Sequence, residues 1–292
     1  MQTREMTPAV DLIPARRQIL WGWPAVVNFT LGGVGAGLYG TAVLAAGFER
    51  TAAVVLASWL APLLVLAGFA AVAGEAGRPL RGPRVLWKVR TSWMSRELWI
   101  GVAFVLLIAA DFAFPLRIHR AQALAAAVLL ALAQGFILRR SRGIAAWDAP
   151  IMPWLFLLSA AVSGSGAYML LEVLAGRGVA PAVIEASLVL LVAALGLGRA
   201  YVFTPAGRAF RDATASLRDG RAGRVGVGVG TVIPLGALAV ALASPAAAAP
   251  AAALAGLAMI AGQAHFKAEL IVKAGLLRPI TVPYLRMSRR SS

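Results

Sequence analysis

Asn28, Glu75, Arg96, Glu97 and Gln134 are polar side chains set inside, or at the ends of, long apolar runs. The two amides and the guanidinium can donate hydrogen bonds to a carbonyl, and the two carboxyls can exchange protons. Flat rings stand beside them in sequence: Trp21 and Trp23 before Asn28, and Trp93 before Arg96. Gly32 and its neighbours Gly33, Gly35 and Gly37 remove bulk from the same run, so a helix or a flat ligand can approach the backbone. Each residue alone has a plainer reading. Asn28 suits a helix–helix hydrogen bond, Arg96–Glu97 an interfacial charge pair, Glu75 a solvated loop, and the tryptophans a membrane-boundary belt. Their shared depth in the chain's architecture is what argues for a site.

That architecture follows from the composition. The 292 residues are 60% hydrophobic and 14% charged, far fewer charges than a soluble chain carries. Apolar stretches of about twenty residues recur from end to end. The spacing of the charged breaks predicts about eight spans, near 24–46, 52–74, 98–114, 121–138, 150–174, 179–200, 225–243 and 247–271. The expectation is an all-α integral membrane protein, with eight transmembrane helices arranged as two four-helix bundles. Residues 1–20 form an N-terminal cytoplasmic segment, 21–140 the first bundle, 141–274 the second and 275–292 a cytoplasmic tail. Residues 1–20 are too polar for a signal peptide. A short amphipathic segment is expected near Pro205 to Leu217, in the seam between the halves.

An even number of spans puts both termini on one side. The second, fourth and sixth breaks and the tail are basic, with Arg78 to Arg96, Arg139 to Arg142, Arg199 to Arg224 and Arg278 to Arg290. The odd breaks lack this excess. The positive-inside rule places the basic breaks and both termini in the cytoplasm; the bacterial inner membrane is the expected location. The net charge of +16 is accounted for by span ends, not by nucleic-acid binding. There is no cysteine, which removes iron–sulfur clusters and thiolate metal sites from this chain. The only histidines are His119 and His265, and His119 lies in a short polar turn, which argues against a bis-histidine haem; no metal ligands are assigned.

With the N-terminus inside, spans 1 and 3 start at the cytoplasmic face and spans 2 and 4 end there. Asn28, Glu75, Arg96, Glu97 and Gln134 then share one level of the bilayer. An apolar slot with a few polar groups at its mouth is the general form of a small-ligand site. A quinone suits it: a flat ring to stack on tryptophan, two carbonyls to accept from Asn28, Gln134 or Arg96, and protons to exchange with Glu75 or Glu97. In the second half, His265, Glu269 and Lys273 share one helical face, and with Lys267 they are read as a snorkelling, salt-bridged helix end.

The runs WGWPAVVNFTLGGVGAGLYG (21–40), GEAGRP (74–79) and RTSWMSRELW (90–99) together resemble the polysulfide reductase membrane-subunit family, also called NrfD or PsrC. The resemblance covers the first four spans; the second half matches in span number and hydropathy only. It implies a quinone-reactive anchor without its own redox metal, binding ubiquinone or menaquinone. It also implies two partners: a four-cluster iron–sulfur subunit and a molybdopterin catalytic subunit. The matching site positions are Asn28, where relatives can carry histidine, and Glu75. One departure is Ala133-Gln134-Gly135, where relatives often have a tyrosine two residues before the glycine. The basic cytoplasmic loops place the partners in the cytoplasm, which is similar to the membrane subunit of a phenylacetyl-CoA:acceptor oxidoreductase-like complex. A secondary transporter would instead need an internal repeat and interrupted helices at mid-membrane, and no convincing repeat is present. A purely structural membrane anchor would be indifferent to changes in the slot.

Overall fold

The computed structural model describes residues 9–75, 87–204, 206–218 and 220–283. Each expected span falls on a helix, with ends that move by a few residues. The first half holds α1 (Trp23–Ala45), α2 (Ala52–Glu75), α3 (Trp93–Ala113) and α4 (Arg117–Arg139). The second holds α5 (Met152–Leu174), α6 (Pro181–Val202), the surface helix α7 (Gly207–Arg218), α8 (Arg221–Val227), α9 (Ile233–Ala243) and α10 (Ala248–Ala268). Prolines sit in the first turns of α1, α5 and α6, where no intrahelical N–H is needed. Ser92 caps α3 by accepting from the Ser95 amide, so that helix begins five residues earlier than hydropathy alone predicts.

Among the described residues, seven helical segments are long and apolar enough to cross a membrane: α1, α2, α4, α5, α6, the joined α8–α9 segment and α10 with its flanking turns. The expected third span, α3, is not one of the seven and carries Arg96, Glu97 and Asp111. Two π-turns escape sequence reasoning. One, Gly228–Val232, joins α8 to α9; the other, Glu269–Lys273, ends α10. The second leaves carbonyls available to other donors: the Trp147 indole N–H donates to Leu270 O at 2.9 Å and the Gln18 amide to Ile271 O at 3.3 Å. The expected amphipathic segment is α7, which buries Phe210, Ala213 and Thr214 and exposes Arg208 and Arg211.

The all-α expectation misses one small sheet. β1 (Ala9–Ile13) pairs antiparallel with β2 (Ile280–Pro283), with Val10 opposite Val282. Bridges Arg17–Leu276 and Ile144–Leu277 and the Arg278–Asp148 ion pair, at 2.8 Å, join the N-terminal segment, the α4–α5 loop and the C-terminal segment at one end of the bundle. This end, called here the basic end, also carries the first turn of α3 and the last turn of α6.

The core does not divide near residue 140. α1 packs along α2, α4 and α5, and α5 packs along α10. A β-carbon on Gly37 or Gly164 would land on the backbone of the facing helix, so α1 and α5 touch main chain to main chain. At the end opposite the basic one, a buried Asp111–Arg120 pair at 2.7 Å ties α3 to α4, and Arg120 also donates to Phe48 O.

Candidate functional site: a buried carboxyl between two amides

Glu97 lies one turn into α3 and is 5% exposed. Two side-chain amides donate to the same carboxyl oxygen, Oε1: Asn28 Nδ2 at 3.2 Å and Gln134 Nε2 at 3.2 Å. Asn28 comes from the second turn of α1, and Gln134 from the next-to-last turn of α4. All three therefore sit about five residues from the basic end of their helices, the shared depth that alternating chain direction predicts. An ionised carboxyl removed from water is costly, and these two N–H donors offset part of that cost.

Two glycines leave room for the convergence. A β-carbon at Gly32 would strike the Gln134 amide and displace it from its place beside Glu97. At Gly68 in α2 a β-carbon would stand 3.0 Å from both Asn28 O and Asn28 Oδ1. Asn28 Oδ1 is buried and has no donor among the described residues. It is the free acceptor of the cluster.

Beside the cluster, Trp93 stacks on Phe136 with centroids 4.3 Å apart and planes 12° apart. The Arg96 guanidinium lies 4.4 Å from the Trp93 ring. Arg96 does not turn inward as expected. Its Nε and Nη2 donate to Val89 O and Arg90 O, each at 2.8 Å, so it fixes the chain entering α3 and holds Trp93 in place. Two tryptophans also depart from the expected site. Trp23 is 64% exposed and faces outward. Trp21 packs with Phe29 and Trp147, and Phe29 in turn with Phe156, in an aromatic set at the α1–α5 contact. Glu75 closes α2, but its side chain lies outside the described residues.

Of the expected site residues, Asn28, Gly32, Glu97 and Gln134 are thus brought into contact, with Trp93 and Arg96 at the edge. Gly68 packs against Asn28 and Phe136 against Trp93, two positions not among the expected site residues; Phe136 stands two residues after Gln134, about 200° further round α4. Lys267 is a second surprise. Instead of snorkelling it is 1% exposed, its Nζ has no hydrogen-bond partner, and it lies 5.8 Å from the Phe156 ring. Only the Glu269–Lys273 contact, at 2.7 Å, matches the expected salt-bridged helix end. Among the described residues no group of three metal-ligating side chains forms.

The fold and the cluster together define a class: a multi-pass helical membrane protein with a polar, carboxyl-bearing centre near one end of its bundle. The chain belongs to the polysulphide reductase NrfD family, whose model matches residues 12–204. Members of that family are the membrane subunits of polysulfide reductase-like complexes. No curated protein matches the chain.

Proposed function

We propose that this chain binds quinone at the Asn28–Glu97–Gln134 cluster and links the quinone pool to an iron–sulfur partner. The observation that carries the reading is the convergence of two amides on one buried carboxyl, with an unused amide oxygen beside it. When bound, a quinone supplies two-electron, two-proton chemistry. The cluster offers what such a headgroup requires. Asn28 Oδ1 accepts from a ring hydroxyl, the amide N–H groups donate to a ring oxygen, and Glu97 holds or releases the accompanying proton. The mouth in this reading lies at the Trp93–Phe136 stack, where the Arg96 guanidinium lies over one ring and that of Arg139 over the other. The cluster is closed in this structure, so a ring reaching Glu97 displaces side chains at that mouth. Glu75, at the end of α2, belongs to the same proposal as a second proton-exchanging carboxyl.

Counting α3 as an eighth crossing returns both termini to one face. The positive-inside rule then puts the basic end, and with it the cluster, in the cytoplasm. The partners in this reading are a four-cluster iron–sulfur protein docked on the basic loops and a cytoplasmic molybdopterin subunit, of the kind that serves phenylacetyl-CoA oxidation. Asn28→Leu in the assembled complex tests the site. Quinone-linked turnover falls at least tenfold while turnover with a soluble dye is unchanged. Equal loss with both acceptors, or loss with neither, overturns the assignment and leaves a structural anchor.

A further inference from the structure

A second site lies in the other half of the molecule. Between α5, α6, α8 and α10 is a cavity of about 120 Å³, close in size to engineered apolar cavities that take up benzene. Gly198, Gly226 and Gly230 line it, the last two where α8 and the π-turn Gly228–Val232 close against His265 and Gly262 of α10. A β-carbon at Gly198 would meet nothing within 4 Å. π-turns inside helices frequently mark functional positions.

Ser159 of α5 also lines the cavity. It is 3% exposed and its hydroxyl has no hydrogen-bond partner among the described residues. Ser163 and Ser165 in the same helix turn back to the Ser159 and Val162 carbonyls, at 2.8 and 3.0 Å. Ser159 makes no such bond, so its hydroxyl is available to an occupant.

Arginines gather at the basic end of the cavity. Arg199, exposed and 4.7 Å from the Phe203 ring, stands where α6 ends, and Arg221 and Arg224 open α8 at the same end. None of the described residues lining the cavity is acidic. His265, also in the lining, is engaged with Ala222 O at 3.0 Å.

We infer that this cavity binds an anionic phospholipid. Its phosphate pairs with Arg199 at the basic end, an ester carbonyl accepts from the Ser159 hydroxyl, and an acyl chain enters the bundle past Gly198. Basic pockets between transmembrane helices take anionic headgroups in this way. A quinone fits less well, because none of the described lining residues is a carboxyl and the lining His265 is engaged with Ala222 O.

The test is native mass spectrometry of the purified full chain with phosphatidylglycerol or phosphatidylcholine of the same acyl chains. The expected result is one tightly held phosphatidylglycerol, bound at least fivefold better than phosphatidylcholine. Arg199→Gln, a surface change, removes that preference. Gly198→Leu fills the cavity and removes the tightly held copy of either lipid. In parallel, phosphatidylglycerol raises the Tm of the unaltered chain more than that of Arg199→Gln. Equal binding of both lipids, an Arg199→Gln chain that keeps its preference, or displacement of the lipid by a short-chain quinone overturns the assignment.

Discussion

Glu97 allows the proton-carrying role to be separated from the structural one. In Glu97→Gln the new amide oxygen still accepts from Asn28 and Gln134, so the three-helix junction keeps its hydrogen bonds. Stability should change by no more than about 1 kcal/mol. Glu97→Leu instead leaves two buried amide N–H donors unpaired. At roughly 1–3 kcal/mol for each, the cost is about 2–6 kcal/mol. Both variants lose the exchangeable proton. A positioned acid–base group contributes about 10²–10⁴-fold, so quinone-linked turnover should fall at least 100-fold in both. The assay compares quinol-analogue and soluble-dye turnover in membranes carrying the complex, together with Tm of the purified chain. Glu97→Gln should look native in Tm and in dye turnover. If its quinone turnover stays within twofold of native, the carboxyl carries no proton. If Glu97→Leu is as stable as Glu97→Gln, the two amides do not depend on residue 97 in the way the geometry requires.

Three other changes probe the frame. Gly164→Ala puts a β-carbon on the Gly37 backbone, and neither main chain can yield, so a loss of about 3 kcal/mol or failed insertion is expected, read by Tm or protease resistance. Asp111→Asn strands the buried Arg120 guanidinium and should cost about 3–5 kcal/mol, most of it recovered in the Asp111→Leu, Arg120→Met double variant. Lys267→Met keeps the length of a buried amine that bonds to nothing, so Tm should hold or rise; a fall of several degrees would show that the amine has a partner.

Sequence reasoning found the helices, seven of them long and apolar enough to cross a membrane among the described residues, because length and hydropathy are properties of contiguous chain. It found the depth of Asn28, Glu97 and Gln134 because helix direction alternates, so position along a span converts directly to height in the bilayer. It could not find azimuth. Arg96 and Glu97 are adjacent, and a helix turns about 100° per residue, so only one of them can face the bundle. Hydropathy carries no information on which. The loop carbonyls of Val89 and Arg90 capture Arg96, and Glu97 is turned inward. Trp21 and Trp23 were read alike, yet they face different surroundings: packed aromatics in one case, the exterior in the other. The π-turns and the β1–β2 pairing rest on contacts distant in sequence, which leave no local periodicity to read.

Lys267 shows the same limit and explains a feature of α1. Gly32 and Gly33 are consecutive and look redundant as packing residues. They face directions about 100° apart. The first makes room for the Gln134 amide on its way to Glu97; the second leaves 2.9 Å between the place of a β-carbon and Lys267 Nζ. One turn of α1 is therefore the partition between a hydrogen-bonded carboxyl from α3 and an unpaired amine from α10. Each glycine faces the tip of a different side chain, so replacing them should have separable effects. A side chain at position 32 displaces Gln134 and acts on the carboxyl cluster. One at position 33 drives Lys267 out of the α1–α5 contact and leaves the cluster's hydrogen bonds intact.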